Sequence, residues 1–466
     1  MRTPFIFWLA AVLLAAQFIL AQDNPLIARE WSRIWGSTSN EWQGRLAVDA
    51  AGYVYVSGDT AGSFDGQTNS GGGADAVLSK FDDSGDRLWT TIWGSSNAFE
   101  RPSGGVTTYG TTAVFVAGWW PGATNEQSMF LTRFYPSGSQ EWTEAWGGSG
   151  EPQDCICVGT SIFICGWTTD EWDGQTNAGD YDWFLSKLDT DGTHHWTRLH
   201  GTTTNDRAWA VCADSAGDIW VAGSALEMGE YRVAKWDQEG NALGNWSWGS
   251  PATWTELYSI CADTKTNVYV VGQIFPDGGS HSLDLVKLRS DGTREWTNHP
   301  QHAISDVATG PGGNILISES SRLEGFSSDG DFLWGLTFMF GGGEQRVSSA
   351  VSGSNVYLVG VNTPGWEYDG QQSVGERDFC LTKWNFDYRP EFLSELCEAT
   401  TNGPVVGWHG AWNCTFDVQS ATNLLDTNAW AWLQGGTNLG GAELMSVTDS
   451  PPTDVRFYRV KATSDD

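Results

Sequence analysis

Tyr53-Val-Tyr-Val-Ser-Gly58, Leu78-Ser-Lys-Phe-Asp-Asp-Ser-Gly85 and Leu88-Trp-Thr-Thr-Ile-Trp-Gly94 decide the fold, because the same three phrases return again and again along the chain. The tryptophan phrase recurs at Trp31, Trp89, Trp142, Trp196, Trp246, Trp296 and Trp334, which makes seven copies. The phrase ending in glycine recurs at residues 54–58, 114–118, 162–166, 219–223, 268–272, 315–318 and 356–360, and the third phrase follows each of them. A repeat of roughly 50 residues built from short apolar alternations and Gly/Asp turns predicts a radial or stacked β array, since one such unit cannot bury its own faces.

Each unit reads as four antiparallel strands, a to d, exemplified by residues 46–49, 54–58, 76–81 and 87–93. The phase of the repeat is informative. The chain opens on a d strand at Trp31 and Trp35, and the seventh unit stops after its c strand at Trp384. The N-terminal strand is therefore expected to complete the last blade and close a seven-bladed β-propeller, an all-β ring without free sheet edges at the seam.

The run Gly58-Asp-Thr, the pair Phe64-Asp-Gly66 before Asp75-Ala-Val-Leu-Ser-Lys80, and Asp189-Thr-Asp-Gly192 before Trp196-Thr197 resemble the bacterial secreted β-propeller repeat family, often abbreviated SBBP. That resemblance implies architecture and secretion more than any activity. Asp82-Asp-Ser-Gly-Asp-Arg-Leu-Trp89 is also similar to the tryptophan-docking motif of quinoprotein propellers, which implies a docking role for Trp89, Trp142, Trp196, Trp296 and Trp334 and no quinone.

Residues 1–21 read as a secretory signal peptide: Met1-Arg2, an apolar stretch over 5–20, and Ala21. The rival reading is an uncleaved membrane anchor. The expected organisation is then the propeller over 22–390, a linker over 391–401 and a small C-terminal β-sandwich-like module over 402–466, carried by Phe416, Val418, Phe457, Tyr458 and Val460. An exported or cell-surface monomer with no membrane insertion after processing follows.

Net charge is −32, from 25 basic and 57 acidic residues. Nucleic acid is excluded as a partner, because phosphate backbones would be repelled. Ca²⁺ is the one cofactor suggested by the acidic loops. Among eight cysteines, Cys157, Cys212 and Cys261 recur in strand a and read as buried thiols. Cys155 and Cys165 could face each other across a hairpin, and Cys397 with Cys414 is the candidate disulfide.

Antiparallel order places the b–c and d–a connections on one face and the tight a–b and c–d turns on the other. The long b–c loops vary in sequence, as recognition loops on a fixed scaffold do. Three of them carry an aromatic followed by Asp-Gly-Gln: Phe64-Asp65, Trp172-Asp173 and Tyr368-Asp369. This reads either as a turn whose aromatic packs on the blade rim, or as a set of Ca²⁺ ligands from Asp65, Asp173 and Asp369 with aromatic platforms for a glycan. Trp119, Trp120, Trp254 and Trp366 depart from the repeat position and join Trp172 as candidate ligand-binding platforms.

A second acidic set, Glu41, Glu100, Asp154, Asp206, Glu256 and Glu344, is expected around the channel mouth, offset by Arg101, Arg207 and Arg346 or by cations. Catalytic motifs are thin, with no His-Glu-x-x-His and no Gly-x-Ser-x-Gly. Two functions remain. The favoured one is a non-enzymatic recognition or adhesion scaffold that binds a glycan or an extracellular protein through the long-loop face. The alternative is a polysaccharide lyase or glycoside hydrolase using Asp173 and Glu171 there.

Overall fold

The computed structural model describes residues 26–96, 99–121, 127–225, 229–249, 253–276, 282–302, 304–319, 321–337, 347–362, 367–368 and 370–387, with backbone strands alone at 398–400, 403–408, 414–421, 431–432, 439–440, 445–448 and 457–464. The ring unit comprises Arg29–Gly310 and Asn314–Trp384. The region read as a signal peptide, and the Cys397–Cys414 pair, lie outside what is described of side chains.

Seven four-stranded antiparallel sheets make the ring, each in the order a-b-c-d. Blade 1, for example, runs Glu41–Val48, Val54–Thr60, Asp75–Phe81 and Arg87–Trp93. Blade 7 takes Ser348–Ser352, Asn355–Asn362 and Asp378–Asp387 from the end of the repeat and its outer strand, Leu26–Trp35, from the beginning. Closure by the N-terminal strand, expected from the phase of the repeat, is therefore what the sheet shows.

The b strands are buried on both sides, as in Val54–Thr60, and the d strands only on alternate residues. Apolar residues gather between blades rather than within them. Tyr55, Leu78, Val106, Val114, Val116 and Phe134 form one core from blades 1 and 2. Phe163, Trp183, Val211 and Val221 belong to the equivalent core of blades 3 and 4. Such burial explains why one repeat cannot stand alone.

In blades 7, 1 and 5 the first tryptophan of the d strand bolts the blade to the next one. Trp31 Nε1–H donates to Asp83 O at 2.9 Å, Trp89 to Pro136 O at 3.0 Å and Trp296 to Ser328 O at 3.3 Å, each carbonyl lying in the c–d turn of the next blade. A c-strand lysine adds a second latch to those turns, as Lys187 Nζ to Gln238 O at 2.8 Å and Lys287 Nζ to Ser328 O at 2.9 Å. At the seam Lys383 is paired with Asp83 at 2.5 Å and Glu30 at 2.8 Å, and its ammonium holds the Asp83 carboxyl below the usual carboxylate range.

The Trp334 indole lies against Gly325 on the neighbouring strand of its own blade, and the blade that follows takes its outer strand from the other end of the chain. Trp31 and Trp246 dock although the motif did not mark them, the latter against Gly292. Cys155, Cys157, Cys165, Cys212 and Cys261 are free thiols. Cys155 stands opposite Ile164 and Cys165 opposite Asp154, so the two do not face each other across their hairpin.

Beyond residue 397 the backbone forms two small antiparallel sheets, one around Gly403–Trp408 and one around Cys414–Ala421, which pairs with Phe457–Ser464.

Candidate functional site

The b–c and d–a loops share one rim of the ring, and the described residues singled out for binding sit on it or near it. Their local geometry differs from blade to blade.

The aromatic-Asp-Gly-Gln phrase is a tight turn in blades 1 and 3, closed by Phe64–Gln67 and Trp172–Gln175 bridges. Asp65 and Asp173 hold positive φ of 55° and 49°, a conformation that Asp tolerates better than most residues because its short side chain bonds locally. Asp65 accepts from Arg87 Nη2 at 2.6 Å and Thr90 Oγ1 at 2.7 Å. Asp173 accepts from the Thr197 amide at 2.5 Å. Both carboxylates are thus committed to the outer strand of their own blade. Asp369 lies outside the described residues.

The glutamine of the same phrase has a role that residue pattern did not reveal. Gln175 Oε1 accepts from Leu199 N at 3.1 Å while its Nε2 donates to Thr197 O at 2.6 Å. Gln371 repeats this on the ring-closing strand, accepting from Ile34 N at 3.1 Å and donating to Ser32 O at 2.8 Å. A side-chain amide here substitutes for a fifth strand and covers an otherwise free sheet edge.

The tryptophans separate into three situations. Trp119 is not a surface platform: it is 6% exposed, at the end of strand b with its ring edge-on to Phe99 at 5.4 Å. Trp120 is half-buried and stacks on Phe130 at 4.9 Å, and Trp172 packs over Phe184 into the core of blades 2 and 3. Trp254 alone of those described is open, at 54% exposure. It opens strand a of blade 5, Thr253–Ala262, whose pairing with Val268–Pro276 runs out as far as Thr253 opposite Pro276. Trp366 lies outside the described residues.

Most of the described acids expected around the channel mouth are elsewhere. Glu41, Glu100 and Asp206 are buried in the d–a turns, where each ties down a preceding backbone amide: Ser37 N at 3.1 Å, Ser95 N at 2.9 Å and Thr202 N at 2.7 Å. Burial pushes the Glu41 carboxyl up to about 7. Glu256 accepts from Tyr258 Oη, and Glu344 and Arg346 lie outside the described residues. Arg101 stacks on Phe99, and Arg207 lies over Trp167 and Tyr181. Spacing in sequence showed these groups to be near one another but not which way they turn.

Among the described residues of that set only Asp154 reaches the axial channel, a cavity of about 250 Å³ lined by the a strands of all seven blades. Burial raises Asp154 to about 6, with Arg45 opposing the rise. Asp306, also on the channel, is held by the Ser349 amide at 2.6 Å and hydroxyl at 2.8 Å and by Ser259. Among the described residues no three His, Cys, Asp or Glu side chains converge as a metal-binding group. Glu171 and Asp173 are both exposed, whereas a glycoside-cleaving acid needs an apolar setting to keep its proton.

No family model matches the chain. Over 386 residues it is 26% identical to the regulatory protein FlaEY of Caulobacter vibrioides, a match covering 73% of this chain and 38% of that protein. The chain thus spans well under half the length of this curated relative. Among solved structures it resembles hydrazine synthase of Kuenenia stuttgartiensis, with 11% identity, 70% and 92% coverage of this chain and that one, and a TM-score of 0.48. The Pan2 WD40 domain of Neurospora crassa follows with 9% identity, 79% and 98% coverage and a TM-score of 0.44. Quinohemoprotein alcohol dehydrogenase from Comamonas testosteroni has 12% identity, 79% coverage of both chains and a TM-score of 0.41. These likenesses are loose, and the fold rests on the sheets themselves.

Proposed function

We propose that the protein is a non-enzymatic recognition scaffold, acting outside the cytoplasm as a monomer, whose long-loop rim binds a glycan or a protein. The observation that carries this reading is Trp254, a large aromatic left 54% exposed where the first strand of blade 5 begins. An indole face presented by a rigid β scaffold suits stacking on a sugar ring or burial in a protein interface, and exposed aromatics of this size are common binding anchors. The acidic surface favours neutral or cationic partners over anionic ones. Similarity to a protein described as regulatory agrees with a binding role.

The test is a glycan array and a pull-down of extracellular proteins with the full chain and Trp254→Ala, alongside an assay of reducing-end release from the same polysaccharides. Binding that drops by roughly tenfold or more in the variant, without turnover, supports the reading. Turnover by the wild type, or binding indifferent to Trp254, overturns it.

A further inference from the structure

At the junction of blades 7 and 1 two carboxylates from different blades are aimed at each other. Glu41 is at the start of strand a in blade 1 and Asp378 at the start of strand c in blade 7, and both are 0% exposed. Each spends one oxygen on its own loop. Glu41 Oε1 accepts from Ser37 Oγ at 2.6 Å and Thr60 Oγ1 at 2.7 Å, and Asp378 Oδ2 accepts from the Val374 and Gly375 amides. The remaining oxygens, Glu41 Oε2 and Asp378 Oδ1, have no hydrogen-bond partner among the described residues. They converge over Gly36: a β-carbon placed there would be 2.3 Å from each of them.

The arrangement repeats one blade on. Asp75, 0% exposed, and Glu100, 5% exposed, converge over Gly94, where a β-carbon would fall 2.5 Å from Asp75 Oδ1 and from Glu100 Oε2. Glu100 Oε2 is likewise without a hydrogen-bond partner among the described residues. Equivalent acids in other blades meet a cationic side chain. In blades 3 and 4 Asp182 and Asp206 share the site with Arg232, whose Nε is 3.8 Å from Asp206 Oδ1. In blade 5 Asp284 pairs with His299 at 2.9 Å. No Lys, Arg or His forms an ion pair with Glu41, Asp378, Asp75 or Glu100 among the described residues. Two facing carboxylates in a dry site cannot both be ionised unless positive charge lies between them.

We propose that the Glu41/Asp378 and Asp75/Glu100 pairs each take a hard divalent cation of the Ca²⁺ class, bridging adjacent blades beneath the long-loop rim. The donor set is all oxygen, as such ions require, with carboxylates supplemented by hydroxyls, backbone carbonyls and water. Asp65 and Asp173, whose carboxylates serve their own blades, are not the ligands. The cation would join loops d–a and b–c of neighbouring blades, and so stiffen the rim at the ring seam.

The test uses the full chain stripped with chelator, with no glycan or protein ligand present, so its failure would leave the recognition reading intact. Calorimetric titration with Ca²⁺ should show two sites, and Tb³⁺ emission should be excited through tryptophan, since Trp35 and Trp93 immediately precede Gly36 and Gly94. Ca²⁺ should raise the unfolding midpoint of the wild type. Glu41→Gln and Glu100→Gln should each remove one site, and the double variant should lose the Ca²⁺ response. Because each glutamine relieves repulsion, the metal-free variants should be at least as stable as the metal-free wild type. No Ca²⁺ or Tb³⁺ binding, or wild-type binding by the double variant, overturns the proposal. So does a midpoint that rises only on acidification in wild type and not in the Gln variants, which would assign a shared proton to the pairs.

Discussion

Gly52 and Gly85 hold nearly the same backbone conformation, with φ of +85° and +77°, and differ only in what stands above them. A β-carbon on Gly52 meets nothing within 4 Å, whereas one on Gly85 would lie 2.7 Å from Cδ2 of the Trp31 indole. Gly138, where a β-carbon would lie 2.7 Å from Cδ2 of the Trp89 indole, repeats the Gly85 situation in the next blade. Replacing either Gly52 or Gly85 by alanine forces an L side chain into the left-handed region and costs about 1–2 kcal/mol. Gly85→Ala must in addition displace the docked indole, an overpacking cost of about 1–3 kcal/mol. Urea denaturation of the two variants should therefore give a larger loss for Gly85→Ala than for Gly52→Ala, and combining Gly85→Ala with Trp31→Ala should be less than additive. Equal losses would mean that the tryptophan does not hold the blades together through this turn.

At the scale of the strand, the weakest element is the one that closes the ring, because Leu26–Trp35 is joined to its sheet by pairing and side chains and not by a turn. Its outer edge is clamped by Gln371 at Ser32 and Ile34. Gln371→Ala should expose those backbone groups and weaken local closure by about 1–2 kcal/mol, read as Ile34 amide exchange faster by roughly one order of magnitude, while amides of Val54–Thr60 are unchanged. Uniform acceleration throughout would instead indicate global destabilisation. The role of this strand was legible in the sequence, since a d phrase at Trp31 and a missing d phrase after Trp384 can only complement each other in a closed ring. The Asp-Gly-Gln phrase was legible as a turn but its glutamine clamp was not, because periodicity tells which face a residue is on and not where a flexible amide reaches. The facing carboxylates were least legible: Glu41 and Asp378 are brought together only by ring closure, and Trp119 was misread as a platform because the covering Phe99 comes from a different blade connection.

The whole molecule carries a net charge of −32 and at the same time buries several acids, and the two facts act on stability in the same direction. Glu41 is pushed up to about 7 by burial, with Asp378 adding repulsion. Asp59 is pushed up to about 7 by burial and by Glu41, against the pull of Arg101, and Asp154 to about 6. Each of these groups keeps its proton in the folded state at pH values where the unfolded chain, with ordinary carboxyls near 4, has already lost it. The folded form then binds more protons than the unfolded one, so stability falls as pH rises through the folded values and levels off above them. The Asp83 carboxyl, lowered by Lys383, works oppositely, but its contribution is lost only in acid below the ordinary carboxylate range and leaves this window untouched. For chelator-treated protein, the thermal midpoint should therefore decline between about pH 5 and pH 8, with a shallower decline in Glu41→Gln and Asp59→Asn. Added salt should lift the midpoint at pH 8 by screening the acidic surface, yet leave most of the slope, because charges buried away from water are screened far less than exposed ones. Ca²⁺ should flatten the slope by replacing the proton between facing acids, and a slope of the same steepness with and without Ca²⁺ would separate the buried titration from the interblade cation.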